Sequence, residues 1–299
     1  MPVKMTAWVS AFRLRTLPLA LSCVGMGGFL AAADGKFSGL IFLLCCLTTI
    51  FLQVLSNLAN DYGDSVNGAD HADRQGPLRA VQSGTIRAGQ MKNAIILFAI
   101  LSLTTGVALL WASFGVDWSS VFFFLVLGLL CIAAAIAYTV GRKPYGYMGL
   151  GDVAVLIFFG LVGVLGSNYL FTHKFSIVQI LPALSCGFFS MAVLNINNIR
   201  DIESDKVAGK FSVPVRIGKE NAVRYHWLLL SAGLATATAY GVLRYHSPFQ
   251  FLFLLAAPMF ILNGLAIAKK SSGELDPYLR QMALSTLAYV ILFGMGNLM

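Results

Sequence analysis

The chain has 299 residues, of which 58% are hydrophobic and only 11% charged, with a formal net charge of +8 at pH 7 and a mean hydropathy of +0.77. A soluble domain carries roughly 25% charged residues, and a single core of this size could not hide so much apolar surface. The composition therefore excludes a cytosolic enzyme, a nucleic-acid-binding domain and a disordered protein; it reads as a chain dissolved in lipid, its basic excess flanking membrane spans.

A bilayer core about 30 Å thick takes roughly 20 apolar residues per helix. Nine stretches meet that requirement, at about 17–33, 40–60, 93–113, 119–140, 152–172, 177–198, 225–243, 248–268 and 282–298. The first follows Arg13 and Arg15 and ends in Ala31-Ala32-Ala33, as a secretory leader would. Its apolar run is longer than a leader's and eight more spans follow, so it reads as a retained first span. Residues 1–299 together read as one all-α, polytopic membrane domain of nine transmembrane helices.

With the N-terminus in the cytoplasm, Lys36, Lys174 and Arg244 fall outside and the other eighteen of the 21 Lys and Arg fall inside. That asymmetry supports an odd number of spans and places the C-terminus outside. Of the 13 Asp and Glu, only Asp34 and Asp117 fall outside. Carboxylates contribute little to topology, so their gathering at one face points to chemistry there. The inner loops at about 61–92 and 199–224 hold most of them. The five cysteines, Cys23, Cys45, Cys46, Cys131 and Cys186, lie in apolar runs without a CxxC pair and read as small core residues.

The first acidic cluster closes the second span as Asn57-Leu-Ala-Asn60-Asp61-Tyr62-Gly63-Asp64-Ser-Val-Asn67-Gly68-Ala-Asp70. Asn57 and Asp61 are four apart, as are Asn60 and Asp64, so on a continuing helix these oxygens share one side. Asn67-Gly68 signals a turn before Asp70. The second cluster closes the sixth span as Asn197-Asn198-Ile-Arg200-Asp201-Ile-Glu203-Ser-Asp205-Lys206, with Asn197, Asp201 and Asp205 on one helical stripe. Asp61 and Asp201 lie 140 residues apart, which suggests a degenerate duplication of a four-span unit.

A single carboxylate at a helix end is ordinarily a solvated cap, but two clusters matched in spacing and side would repel and be costly to desolvate. A divalent cation resolves the conflict. Mg²⁺ takes a few carboxylates together with waters and phosphate oxygens, so two opposed Asp clusters make a half-site that a diphosphate would complete. Arg142, Lys143, Arg200, Lys206 and Lys210 stand near enough in sequence to neutralise the remaining phosphate charge.

Asn60-Asp61-x-x-Asp64 and Asp201-x-x-x-Asp205, after the second and sixth of nine spans, resemble the paired signatures of the UbiA-type intramembrane prenyltransferases over nearly the whole chain. Asp70, where the commoner signature has an acid at the Gly68 position, is similar to the branch that uses 1,4-dihydroxy-2-naphthoate, as are Arg74-Gln-Gly-Pro-Leu-Arg79 and Tyr147-Met-Gly-Leu-Gly-Asp152. The resemblance implies transfer of a polyprenyl group from polyprenyl diphosphate to the naphthoate ring, with decarboxylation. It implies Mg²⁺ on Asp61, Asp64, Asp201 and Asp205, and Asn57, Asn60 and Asn198 as neutral ligands or anchors. Arg200, Lys206 and Lys143 would clamp phosphate, with Arg15 and Arg79 in the same role; Asp70 and Arg79 would sit over the acceptor. Tyr138, then Tyr62, would face the allylic cation. The tail is expected to leave sideways into the lipid bilayer without a pocket of its own. Another acceptor (4-hydroxybenzoate, a tocopherol-type aromatic or a glycerol phosphate lipid) is the alternative within this class. A secondary transporter is the alternative outside it, although its charges would be expected nearer the midplane.

Overall fold

The computed structural model describes residues 5–67 and 79–299, and every regular element among them is helical. Nine helices among the described residues are long and apolar enough to cross a membrane: α1 (Met5–Ala33), α2 (Gly39–Val66), α3 (Ala88–Phe114), α4 (Trp118–Ala137), α5 (Gly151–Thr172), α6 (Ile177–Arg200), α7 (Val213–Leu243), α8 (Pro248–Lys269) and α9 (Asp276–Leu298). Their starts carry ordinary local signals. Ser38 accepts from the Ile41 N–H ahead of α2, Asp117 accepts from Ser120 ahead of α4, and Pro214, Pro248 and Pro277 stand in first turns, where a missing N–H costs nothing.

The nine spans fall where hydropathy places them, but several ends differ. α2 runs six residues past the expected 60 and carries Asp61 and Asp64 on regular helix. α7 begins at Val213 rather than 225, because Arg216, Lys219, Glu220 and Arg224 dilute the hydropathy of a segment that is nonetheless helical apart from a turn at Gly218. α1 includes residues 5–16 and is broken at Arg13, whose φ of 49° is left-handed. The Asn57 side-chain amide holds that break by donating to the Phe12 carbonyl at 2.9 Å. The middle of α5, Leu156–Gly166, is wound as π-helix, a wider coil often found beside functional sites.

Packing follows the apolar faces. α2 packs most extensively on α3, and α6 on α7, while α9 closes against α1, α6 and α8. The main core joins α1 and α5 to α6–α9, where Phe189 stacks on Phe260 at 4.3 Å and meets Tyr289 edge-on at 4.9 Å. α4 buries no residue, and outward residues such as Leu43, Ile96, Phe122 and Phe123 are exposed, as lipid-facing side chains are. The five cysteines are free and sit within the bundle, Cys23, Cys45 and Cys186 fully buried.

The α4–α5 connection (138–150) docks on the segment after α6. Phe211 N–H donates to the Tyr147 carbonyl at 2.9 Å, and Arg216 Nη2 to the Met148 carbonyl at 2.7 Å. Gly149 makes this approach possible: its φ is +79°, and a Cβ there would lie 2.5 Å from the Phe211 carbonyl oxygen. Gly149→Ala is therefore expected to cost about 1–3 kcal/mol and lower Tm by several degrees. Gly128→Ala, in open space on a helix, should leave Tm unchanged or slightly higher in the same melt.

Candidate active site

The chain ends of α2, α4 and α6 and the starts of α5, α7 and α9 share one end of the bundle, so both acidic clusters open on the same side. Asn57, Asn60 and Asp64 of the first cluster reach the polar end of a cavity of about 440 Å³; of the second cluster only Asn197 lines it, and Asp61, Asn198, Asp201 and Asp205 stand outside its lining. Asn57, Asn60, Asp64, Arg79, Tyr138 and Lys210 line that end, with Arg15 and Asn197. Beyond them the walls turn apolar and run between α1, α3, α4 and α5 to Leu109, Leu110, Phe124 and Leu170 near the opposite face. The expectation of a tail that leaves sideways meets an apolar passage between these helices, lined by Phe158, Phe159 and Val162 from the π-wound part of α5.

Asp64 is buried. It accepts the Tyr147 hydroxyl at 2.8 Å and pairs with Arg79, whose Nη1 also donates to the Asn60 carbonyl at 2.8 Å. Asp61, equally buried, accepts the backbone N–H of Ala80 at 3.0 Å on one oxygen and that of Val81 at 3.1 Å on the other. It thereby fixes the turn that delivers Arg79. Asn60 accepts from the Thr139 hydroxyl at 3.1 Å, tying the end of α2 to the end of α4. Asp70 lies outside the described residues.

The second cluster does not form the single helical stripe that its spacing suggests. α6 ends at Arg200, Asp201 caps it with φ −99° and ψ 13°, and a short helix restarts over Ile202–Val207. The step occurs where Arg200 folds back on Asp201, donating from Nε at 2.8 Å and Nη2 at 2.7 Å. Asp205 receives Lys210 Nζ at 3.3 Å, and the same lysine lies 5.9 Å from the centre of the Tyr147 ring. Burial pushes the Asp205 carboxyl up to about 6; Lys210 opposes this, and the negative charges of Asp201 and Asp64 add to it. Burial acts to lower the Lys210 ammonium, but Asp205 and Asp64 outweigh it and hold the group above its ordinary value. The two clusters thus act on one another across a single charged centre.

Tyr138 stands between them, with Tyr145 edge-on at 5.3 Å. Burial is the chief cause that pushes its hydroxyl up to about 12, so it remains a neutral phenol presenting an aromatic wall. Tyr62 faces away, with Lys92 over its ring at 5.3 Å and its packing against α1 and α3. Lys143 and Lys206 are exposed and do not line the cavity, whereas Lys210 is buried in it. Arg200 is also buried, its donors directed to Asp201, Asn197 and Asp276.

Among the described residues no three Asp, Glu, His or Cys side chains gather closely enough to hold a metal ion by themselves. Asp205 Oδ2 and Asn198 Oδ1, however, are buried acceptors without a hydrogen-bond partner. Leaving such atoms unpaired costs roughly 1–3 kcal/mol each. An oxygen-rich, incompletely satisfied donor set of this kind fits a hard divalent cation whose remaining ligands come from phosphate and water.

A family model described as the UbiA prenyltransferase family matches residues 20–287. The chain is 46% identical over 299 residues to 1,4-dihydroxy-2-naphthoate octaprenyltransferase of Haemophilus influenzae, covering 99% of this chain and 96% of the relative. It is 44% identical over 291 residues to the protein of the same name from Escherichia coli, covering 97% and 94%. Among solved structures it resembles a UbiA homologue from Aeropyrum pernix (TM-score 0.69, 18% identity, 95% of this chain and 97% of that one). It also resembles one from Archaeoglobus fulgidus bound to GPP and Mg²⁺ (TM-score 0.63, 17% identity, 96% and 99%).

Proposed function

The chain belongs to the UbiA prenyltransferase family, and on that premise we propose that it transfers a polyprenyl group from polyprenyl diphosphate to 1,4-dihydroxy-2-naphthoate, with decarboxylation and release of diphosphate. One observation carries the reading: Asn57, Asn60 and Asp64 of the first cluster and Lys210, which pairs with Asp205 of the second, line the charged end of a cavity whose other walls are apolar. A diphosphate fits the first part and an isoprenoid tail the second. The relatives named above act on this acceptor by name.

Asp61, Asp64, Asp201 and Asp205 would hold Mg²⁺, with Asn60 and Asn198 beside it. When bound, the cation supplies positive charge at the diphosphate oxygens as the carbon–oxygen bond ionises. The protein does the rest. Arg79, Lys210 and Arg15 face the cavity and bind the phosphate charge that the metal leaves over. Tyr138 presents its face to the allylic carbon, and the apolar walls exclude the water that would capture the cation. The ring carbon takes the prenyl group, and departure of the carboxylate as CO₂ returns the bonding pair to the ring.

The nine spans make this an integral, multi-pass membrane protein. We propose that residues 1–299 form one prenyltransferase domain with a cytoplasmic N-terminus, so that the active site faces the cytoplasm; the distribution of Lys and Arg supports that orientation. The test uses purified protein in nanodiscs with a polyprenyl diphosphate and either 1,4-dihydroxy-2-naphthoate or 4-hydroxybenzoate, with and without Mg²⁺. A prenylated, decarboxylated naphthalenediol formed only with Mg²⁺ is expected. Prenylated hydroxybenzoate instead would overturn the acceptor, and no product from either would overturn the reaction.

A further inference from the structure

Asp276, the first residue of α9, lies 70 residues or more from any part of the two acidic clusters, yet it touches the machinery twice. Its Oδ1 accepts Arg200 Nη1 at 2.7 Å, and its Oδ2 pairs with Arg15 Nη1. Arg200 is already committed to Asp201 through Nε and Nη2, and its Nη2 also reaches Asn197 Oδ1 at 2.9 Å. With its side chain 1% exposed and these donors engaged, Arg200 is a strut inside the protein and is poorly placed to clamp a ligand. Arg15 differs. Its side chain is 33% exposed, it lines the cavity with Asp64 and Lys210, and Asp276 is its one hydrogen-bond partner among the described residues. Its other N–H groups have no hydrogen-bond partner among the described residues.

We propose that Asp276 is a positioning residue that ties the last span to the first and to the second acidic cluster. It holds the Arg15 guanidinium by one edge, so that the other edge faces the diphosphate. It also gives buried Arg200 a second carboxylate besides Asp201. The arrangement couples three distant parts of the chain, because Arg15 sits beyond the break at Arg13 that Asn57 secures from α2. Without Asp276, Arg15 keeps its charge but loses the contact that orients it.

The inference rests on the prenyl-diphosphate reading, and wild-type turnover measured in parallel separates the two: without wild-type product the function fails, and with it only Asp276 is on trial. Asp276→Asn keeps the shape and loses the charge. It is expected to raise KM for the prenyl diphosphate roughly tenfold while KM for the acceptor stays within twofold. Arg15→Met, which leaves Asp276 paired with Arg200, is expected to give a similar rise. The double variant should bind the diphosphate about as weakly as Asp276→Asn alone, because Arg15→Met removes a contact that Asp276→Asn has already removed. Asp276→Glu, which restores the charge, should recover part of the affinity. An unchanged KM in either single variant, or effects that multiply in the double, would overturn the proposal. A lower Tm with normal KM would assign Asp276 to stability alone and overturn it equally. If Asp276→Asn does not fold, the Arg15→Met result decides: a normal KM there removes the ligand that Asp276 is said to orient.

Discussion

Asp64→Asn and Asp205→Asn are each expected to lower kcat by 10²-fold or more. The two carboxylates come from opposite acidic clusters, and both act on Lys210. Each amide replacement keeps the side chain's volume but removes the charge that would hold a cation against the diphosphate; losses of this size are usual when charge stabilisation of a transition state is removed. Asp64→Asn has a second effect, because it breaks the ion pair that Asp64 makes with buried Arg79. Breaking a buried pair from one side costs about 3–5 kcal/mol, so Tm should fall as well. Asp64→Asn combined with Arg79→Met separates the two effects. Removing both charges should recover much of the lost Tm and none of the lost turnover. Recovery of turnover together with Tm would mean that Asp64 serves only to balance Arg79.

Gly63→Ala is expected to damage both stability and turnover, although residue 63 carries no chemistry. A Cβ at this position would lie 2.5 Å from the Thr139 carbonyl oxygen and 2.6 Å from its hydroxyl. Thr139 also donates to the Ala59 carbonyl at 3.0 Å and to Asn60 at 3.1 Å, so it is fixed against the same turn of α2. The added methyl must separate α2 from the end of α4 by the better part of an ångström, and Asp64, the next residue, moves with the helix. Overpacking of this kind costs about 1–3 kcal/mol, and a shift of that size at a positioned group can lower kcat about 10²-fold. Gly89→Ala in α3, where a Cβ would meet nothing within 4 Å, is the comparison and should stay within twofold of wild type. Thermal melts and turnover on both variants check the prediction.

The spans were legible because lipid imposes a length and a hydropathy that few other environments demand. The acidic clusters were legible for a related reason: charge at a membrane boundary stands out against a chain with so few charged residues. What the sequence concealed depends on where side chains turn. Lys206 follows Asp205 directly, but adjacent residues on a helix point about 100° apart, and Lys206 faces solvent. Lys210 arrives at Asp205 because Gly209, at φ +70°, reverses the chain. Asp61 shares the spacing of a ligand, yet its oxygens receive the N–H groups of a turn nineteen residues on, which no local pattern announces. Asn57 likewise holds the break in α1, and Gly63 and Asp276 act through partners distant in sequence. The apolar passage was missed because its walls are built from ordinary span residues; only their arrangement encloses it.

We propose that the two acidic clusters together form one cation site, completed by diphosphate. Mn²⁺ binding followed by electron paramagnetic resonance, with and without a prenyl thiolodiphosphate that cannot ionise readily, tests it most directly. Weak binding to the protein alone is expected, tightening at least tenfold with the analogue, with loss of that tightening in both Asp64→Asn and Asp205→Asn. Undiminished tightening in either variant would contradict a shared site, and binding indifferent to the analogue would contradict the diphosphate as its completing ligand.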